Sequence, residues 1–253
     1  MLPILNIGPL AIQLPGLVIL IGLWLGLSLA ERYAARFDVK SNLLYNLVFV
    51  VLIAGIIGAR LAYVIRYPQA FAGNLFSALS FNLSLLDPWA GLGLGLIAGL
   101  VYGQRKEMAL WPTLDALTPT LAVFAISLSL AQLASGAAFG RPTEVPWGIE
   151  LWGASRHPTQ IYEALTGILI LAILWPGRAR FQNQSAGIYF LTFVALSAAA
   201  RLFLEAFRGD SVLLPGGLRL AQVLAWFVLA VSFWGLYTLH KRAKEVSAEE
   251  PGV

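Results

Sequence analysis

Cysteine is absent from the 253 residues, so the chain itself carries no disulfide, thiolate nucleophile or cysteine metal ligand. Any thiol chemistry must use a substrate's sulfur. Histidine is nearly as scarce. His157 and His240 are the two present, too few for a multi-histidine metal centre, and neither a metal nor a cofactor is expected. Charge is thin as well. Charged residues make up 12% against 58% hydrophobic, with a mean hydropathy of +0.76, which lies outside soluble composition and marks an integral membrane protein. The net charge of +4 then reflects cytoplasmic anchoring residues, and no nucleic-acid partner is implied. No basic residue precedes the first apolar run, so residues 1–15 do not form a cleavable secretory signal.

Seven apolar runs are present, each near the roughly 20 residues that cross a bilayer core or a little short of it. They cover about 14–30, 43–64, 89–102, 114–133, 158–175, 186–204 and 218–239. The fold class expected is an all-α integral membrane protein, with seven transmembrane helices and a short outer cap loop over 134–155. The glycine-rich run 91–99 makes the third span the weakest, either a close-packed helix or partly re-entrant. One domain over 1–243 is expected, with 244–253 a disordered cytoplasmic tail. Residues 66–88 form a weak candidate for an interfacial arm.

Basic residues set the orientation. Arg32, Arg36, Lys40, Arg105, Lys106, Arg178, Arg180, Lys241, Arg242 and Lys244 fall on one side, and outnumber Arg66, Arg141, Arg156, Arg208 and Arg219 on the other. By the positive-inside rule the N-terminus is outside and the C-terminus cytoplasmic. Arg60, His157, Glu163, Arg201, Glu205 and Arg208 then gather toward the outer face. Arg201, Glu205 and Arg208, at i, i+4 and i+7, would form one polar stripe on an apolar helix. Intramembrane arginines are functional candidates by default, although mutual neutralisation of Arg201 and Glu205 accounts for the pair structurally.

The polar stretch 155–166 opens an otherwise apolar helix. Pro158 suits the first helical position, which would make His157 the N-cap and let Gln160 reach back toward it. Gln160, Glu163 and Gly167 share one face. Glu163 must therefore meet protein, a partner or water, because a carboxylate facing lipid is costly.

Arg156-His157-Pro158-Thr159-Gln160-Ile161-Tyr162-Glu163 resembles the R-H-P-S-Q-L-Y-E motif of the prolipoprotein diacylglyceryl transferase family of bacterial inner-membrane enzymes. Arg201 to Arg208 is similar to that family's R-x-x-x-E-x-x-R. Gly58-Ala59-Arg60-Leu61-Ala62-Tyr63 is similar to its G-G-R-x-x-Y, and Ile7-Gly8-Pro9 to its I-G-P. The order holds over nearly the whole chain. There are departures too. Glycine replaces the histidine of the family's third helix, at Gly93. Of the family signature over 128–141 only Gly136, Gly140 and Arg141 remain, its polar members being replaced by Ser129, Gln132, Ser135 and Ala137. Ser197 and Pro15 stand where tyrosines are usual.

The resemblance implies transfer of a diacylglyceryl group from phosphatidylglycerol to the lipobox cysteine thiol of a prolipoprotein signal peptide, at the bacterial inner membrane and among its lipids. On that basis Arg60, Arg141 and Arg201 hold the lipid phosphate, with Arg156 and Arg208 at the rim. Gln160 and Tyr162 complete the substrate-binding set. His157 is the base, and Glu163 or Glu205 orients it or an arginine. Other readings are a catalytically silent relative that binds anionic phospholipid or lipoprotein precursor, a small transporter, and a serine hydrolase using Ser135 with His157. A retinal protein is disfavoured because 218–239 contains no lysine.

Overall fold

The computed structural model describes residues 4–7, 10–71, 73, 85–177 and 184–249. Arg178 and Arg180 of the charge count, Gly8-Pro9, most of the proposed arm and residues 250–253 lie outside them. Each apolar run forms one α-helix: α1 (Leu14–Tyr33), α2 (Ser41–Arg66), α3 (Pro88–Arg105), α4 (Leu110–Ser135), α5 (Thr159–Ile173), α6 (Ile188–Leu204) and α7 (Leu220–Glu249). Two antiparallel hairpins join them, β1 (Ile4–Ile7) with β2 (Leu10–Gln13) and β3 (Ile149–Leu151) with β4 (Ala154–Arg156).

Among the described residues, five helical stretches are long and apolar enough to cross a membrane: Leu14–Phe37, Ser41–Arg66, Leu110–Ser135, Ile188–Phe207 and Leu220–Glu245. The protein is an all-α multi-pass membrane protein. α5, with 15 residues, is about 22 Å long at 1.5 Å per residue, short of a bilayer core of roughly 30 Å. α3 is a continuous helix despite its glycines. α7 continues to Glu249.

The chain forms two compact units, Met1–Phe37 with Leu114–Val253, and Asp38–Thr113. In the second unit α2 and α3 meet through their glycines. A Cβ on Gly91 would lie 2.8 Å from the Gly55 carbonyl oxygen, and one on Gly95 2.9 Å from that of Val51. Such close backbone approach is characteristic of small residues spaced four apart. Asp87 caps α3 by accepting from the Trp89 and Ala90 N–H groups, both at 3.1 Å, and Pro88 takes the first turn, where its missing donor costs nothing.

In the first unit α4 is central. Half of its apolar window is buried, against 28% or less in the other four membrane-length stretches. Thr120 Oγ1 donates to the Gly26 carbonyl of α1 at 3.0 Å. Asp115, singled out by nothing in the sequence reading, accepts from the N–H groups of Gly187 at 2.6 Å and Phe190 at 2.7 Å. It thus satisfies the open donors at the start of α6 from a neighbouring helix. Tyr189 stacks on Phe37 below this junction, with ring centroids 5.3 Å apart.

Candidate functional site

Residues 137–143 form a strand-like segment held on both sides. The Arg141 N–H donates to the Phe207 carbonyl at 2.8 Å and the Gly209 N–H to that of Phe139 at 2.9 Å. On the other side the His157 N–H donates to the Arg141 carbonyl at 3.1 Å and the Thr143 N–H to that of Ser155 at 2.9 Å. Gly140 lies where the three segments are closest, and any Cβ there would collide with the His157 carbonyl oxygen. This explains the glycine without any catalytic role. Trp152 and Gly153, at φ 54° and 75°, turn the β3–β4 hairpin, and both positive angles fit a type I′ turn. Arg156 fastens the hairpin to this segment: its Nε donates to Leu151 O at 2.9 Å and its Nη1 to Gly140 O at 3.2 Å. Its guanidinium also lies 5.0 Å from the centre of the Phe139 ring.

Two expectations about α5 are corrected here. Pro158, not His157, is the N-cap, with φ −76° and ψ 66°, and its carbonyl accepts from the N–H groups of Ile161 and Tyr162. Extended pairing of His157 with Arg141 delays the start of the helix by one residue. Gln160 does not reach back to a cap. Fully buried, it donates through Nε2 to Ala137 O at 2.7 Å, while its Oε1 has no hydrogen-bond partner.

One turn further on, Glu163 meets two arginines. Its Oε1 accepts from Arg201 Nη1 at 3.0 Å and from Arg208 Nη1 at 2.9 Å. Arg201 Nη2 also lies 2.9 Å from Glu205 Oε2, an ion pair without hydrogen-bond alignment. Arg208 grips Asp210 in a two-pronged contact of 2.9 and 2.8 Å. Burial alone would lower the Arg208 pKa, but the hydrogen bond to Asp210 and the charges of Glu163 and Asp210 outweigh it and hold the pKa above its ordinary value. The expected placement of Arg208 at the rim is therefore wrong, since its side chain is only 10% exposed. Nor does it continue a helical stripe. α6 tightens into a 3-10 turn over Glu205–Phe207, and Arg208 is extended, with φ −76° and ψ 141°, because the chain there pairs with Gly140.

Sequence reasoning missed two members of this cluster. Asp210 escapes it altogether, and Arg219 reads only as a loop charge. Arg219 Nη1 donates to the Glu205 carbonyl, to Arg208 O at 3.3 Å and to Ser211 Oγ at 3.2 Å. Their one signal was proximity in sequence to the charged motif.

His157 stands apart from these carboxylates in its contacts, so of the two roles expected for Glu163 and Glu205 it is the arginines they hold. The His157 ring packs edge-on against Phe207, centroids 5.2 Å apart, and its Nδ1 lies 3.3 Å from the Tyr162 hydroxyl. Trp147 Nε1 donates to that hydroxyl at 2.7 Å. Ser135 is engaged locally, donating to Gln132 O at 3.1 Å. Arg141 is exposed and reaches Ala206 O at 3.5 Å. Arg60 belongs to the second unit, where Nη1 donates to Leu85 O at 2.9 Å and the guanidinium lies 5.4 Å from the Phe71 ring centre.

A cleft of about 220 Å³ opens between α4, α5 and α6, lined by Ser129, Gln132, Glu163, Thr166, Ser197 and Arg201 among apolar neighbours. Three positions that depart from the family pattern, Ser129, Gln132 and Ser197, thus border one space beside the ion-paired Arg201. On the other side of α6 a groove of about 410 Å³, walled almost wholly by apolar side chains of α6 and α7, also reaches Ser197 and Arg201.

The family profile described as prolipoprotein diacylglyceryl transferase matches residues 3–238. A phosphatidylglycerol–prolipoprotein diacylglyceryl transferase of Synechococcus elongatus is 29% identical over 94% of this chain and 86% of its own length. One from Clostridioides difficile is 28% identical over 93% of this chain and 94% of its own. With the profile covering all seven helices, the chain belongs to the prolipoprotein diacylglyceryl transferase family.

Proposed function

We propose that this protein transfers the diacylglyceryl group of phosphatidylglycerol to the lipobox cysteine thiol of a prolipoprotein signal peptide. The observation that carries the reading is the position of Arg201. Its side chain is 38% exposed, paired on one side with Glu163 and Glu205, and borders both the polar cleft and the apolar groove. A lipid with its phosphate at Arg201 can place acyl chain in the groove and headgroup in the cleft. In the reaction the thiol loses its proton, sulfur attacks the glyceryl carbon, and the carbon–oxygen bond to phosphate breaks. The electron pair leaves with glycerol phosphate. Charge grows on that phosphate, which an arginine in a low-dielectric site stabilises without reorganising. Arg141 is assigned to the same phosphate, and Gln160 and Tyr162 to substrate contact. His157 is assigned as the proton acceptor. The chain has seven spans in the bacterial inner membrane, with the N-terminus outside and the C-terminus cytoplasmic.

The test is incubation of purified protein with phosphatidylglycerol and a lipobox peptide, followed by mass. A peptide heavier by one diacylglyceryl group, dependent on Arg201, supports the transferase. Phosphatidylglycerol binding without any mass shift supports the silent relative. That second reading rests on the neutral residues at 129, 132 and 197, which leave Arg201 as the sole cation lining the cleft among the described residues.

A further inference from the structure

The indole N–H of Trp147 has no lone pair to offer and can only donate. Its 2.7 Å contact with the Tyr162 oxygen therefore makes that oxygen the acceptor and directs the phenolic hydrogen elsewhere. The other polar neighbour of the Tyr162 oxygen among the described residues is His157 Nδ1, at 3.3 Å. Donation of that hydrogen to Nδ1 requires an Nδ1 left unprotonated in the neutral ring, with the ring hydrogen on Nε2. Phe207 holds the pair in register, edge-on to both rings at 5.2 and 6.0 Å. The His157 backbone is itself fixed by its bond to Arg141.

We propose that Trp147 is a positioning residue that polarises a Tyr162-to-His157 relay, so that the proton leaving the substrate thiol passes through the Tyr162 oxygen to His157 Nδ1. This rests on the transferase reading. The balance is simple. The thiol hydrogen moves to the Tyr162 oxygen as the phenolic hydrogen moves to Nδ1. Tyr162 ends neutral, sulfur ends as thiolate and His157 ends as imidazolium with hydrogen on both nitrogens. Nε2–H forms no hydrogen bond among the described residues and is available throughout to an acceptor such as the leaving phosphate. Trp147 stabilises the transient negative charge on the Tyr162 oxygen, and its own proton never moves.

Ring nitrogen resonances of the full-length protein, labelled with 15N-histidine in detergent, read the tautomer directly. With His157 and His240 the sole histidines, His240→Gln assigns the spectrum. The expected result is a neutral His157 protonated at Nε2 and bare at Nδ1. Trp147→Phe should mix the tautomers and lower kcat roughly 3- to 10-fold, the size of one net hydrogen bond, with KM for phosphatidylglycerol unchanged. Trp147→Gln, which keeps an N–H donor, should recover part of both. Tyr162→Phe should abolish the Nδ1 preference and lower kcat further. A wild-type ring protonated at Nδ1, or a tautomer indifferent to Trp147→Phe in a protein of unchanged thermal stability, overturns the relay. An Nε2–H ring in wild-type protein that shows no turnover overturns the transferase reading on which the relay rests.

Discussion

The motif 156–163 feeds two polar assemblies of opposite character. Around Glu163 the charges are short-ranged, mutually compensated and, apart from Arg201 at the cleft, largely buried: Glu205 is 1% and Arg208 10% exposed, and each carboxylate lies within 3.0 Å of an arginine nitrogen. Around His157 the groups are half-exposed, neutral and aromatic, joined by one firm hydrogen bond and one longer contact. Paired charges hold a geometry, whereas a part-buried histidine among uncharged side chains has no carboxylate to fix its proton. Under the proposed function, scaffold and substrate-holding work falls to the first assembly and proton transfer to the second.

Breaking the first assembly should produce the largest stability loss. Glu205→Ala leaves Arg201 and Arg208 with one shared carboxylate and is expected to cost about 3–5 kcal/mol, the range for a broken buried pair. Glu150→Ala, at the exposed position of β3, should stay within about 0.5 kcal/mol. Equal thermal stability of the two variants in detergent would remove the distinction between the assemblies. His157→Gln tests the second. Turnover should fall about 10²- to 10⁴-fold while melting temperature and phosphatidylglycerol binding hold. A variant that melts like Glu205→Ala would place His157 in the scaffold instead.

Gly140→Ala tests the backbone that separates the assemblies. Forcing a Cβ against the His157 carbonyl should cost about 1–3 kcal/mol, and faster hydrogen exchange at Thr143 and His157 is the expected sign. Unchanged exchange would mean the three segments are not locked together. Smallest is Arg66→Ala. The Arg66–Asp87 pair measures 3.0 Å, as short as the buried ones, but Arg66 is 67% exposed. Its loss should cost about 1 kcal/mol or less, and a cost rivalling Glu205→Ala would show that distance, not burial, governs these pairs.

Hydropathy alone placed all seven helices, because in an apolar solvent the backbone must bond internally and a run of apolar residues has few alternatives to helix. The charged motifs were equally legible as candidates, since Arg or Glu inside such runs is too costly to be incidental. Pairing was not legible. Arg208 reads as the next turn of α6, and only the bridge to Gly140 pulls it out of the helix and onto Glu163 and Asp210. Asp115 carries no local signal, since its partners are the N–H groups of Gly187 and Phe190, more than seventy positions away. The hairpin that brings Trp147 near Tyr162 turns on a Trp-Gly pair too common to notice. The sequence by itself thus determined the solvent, the helices and the identity of the costly groups. Which carboxylate meets which arginine, and that His157 faces a tyrosine instead of a carboxylate, was decided by tertiary contacts, because those partners lie on segments that meet only when loops 136–143 and 205–219 close around α5.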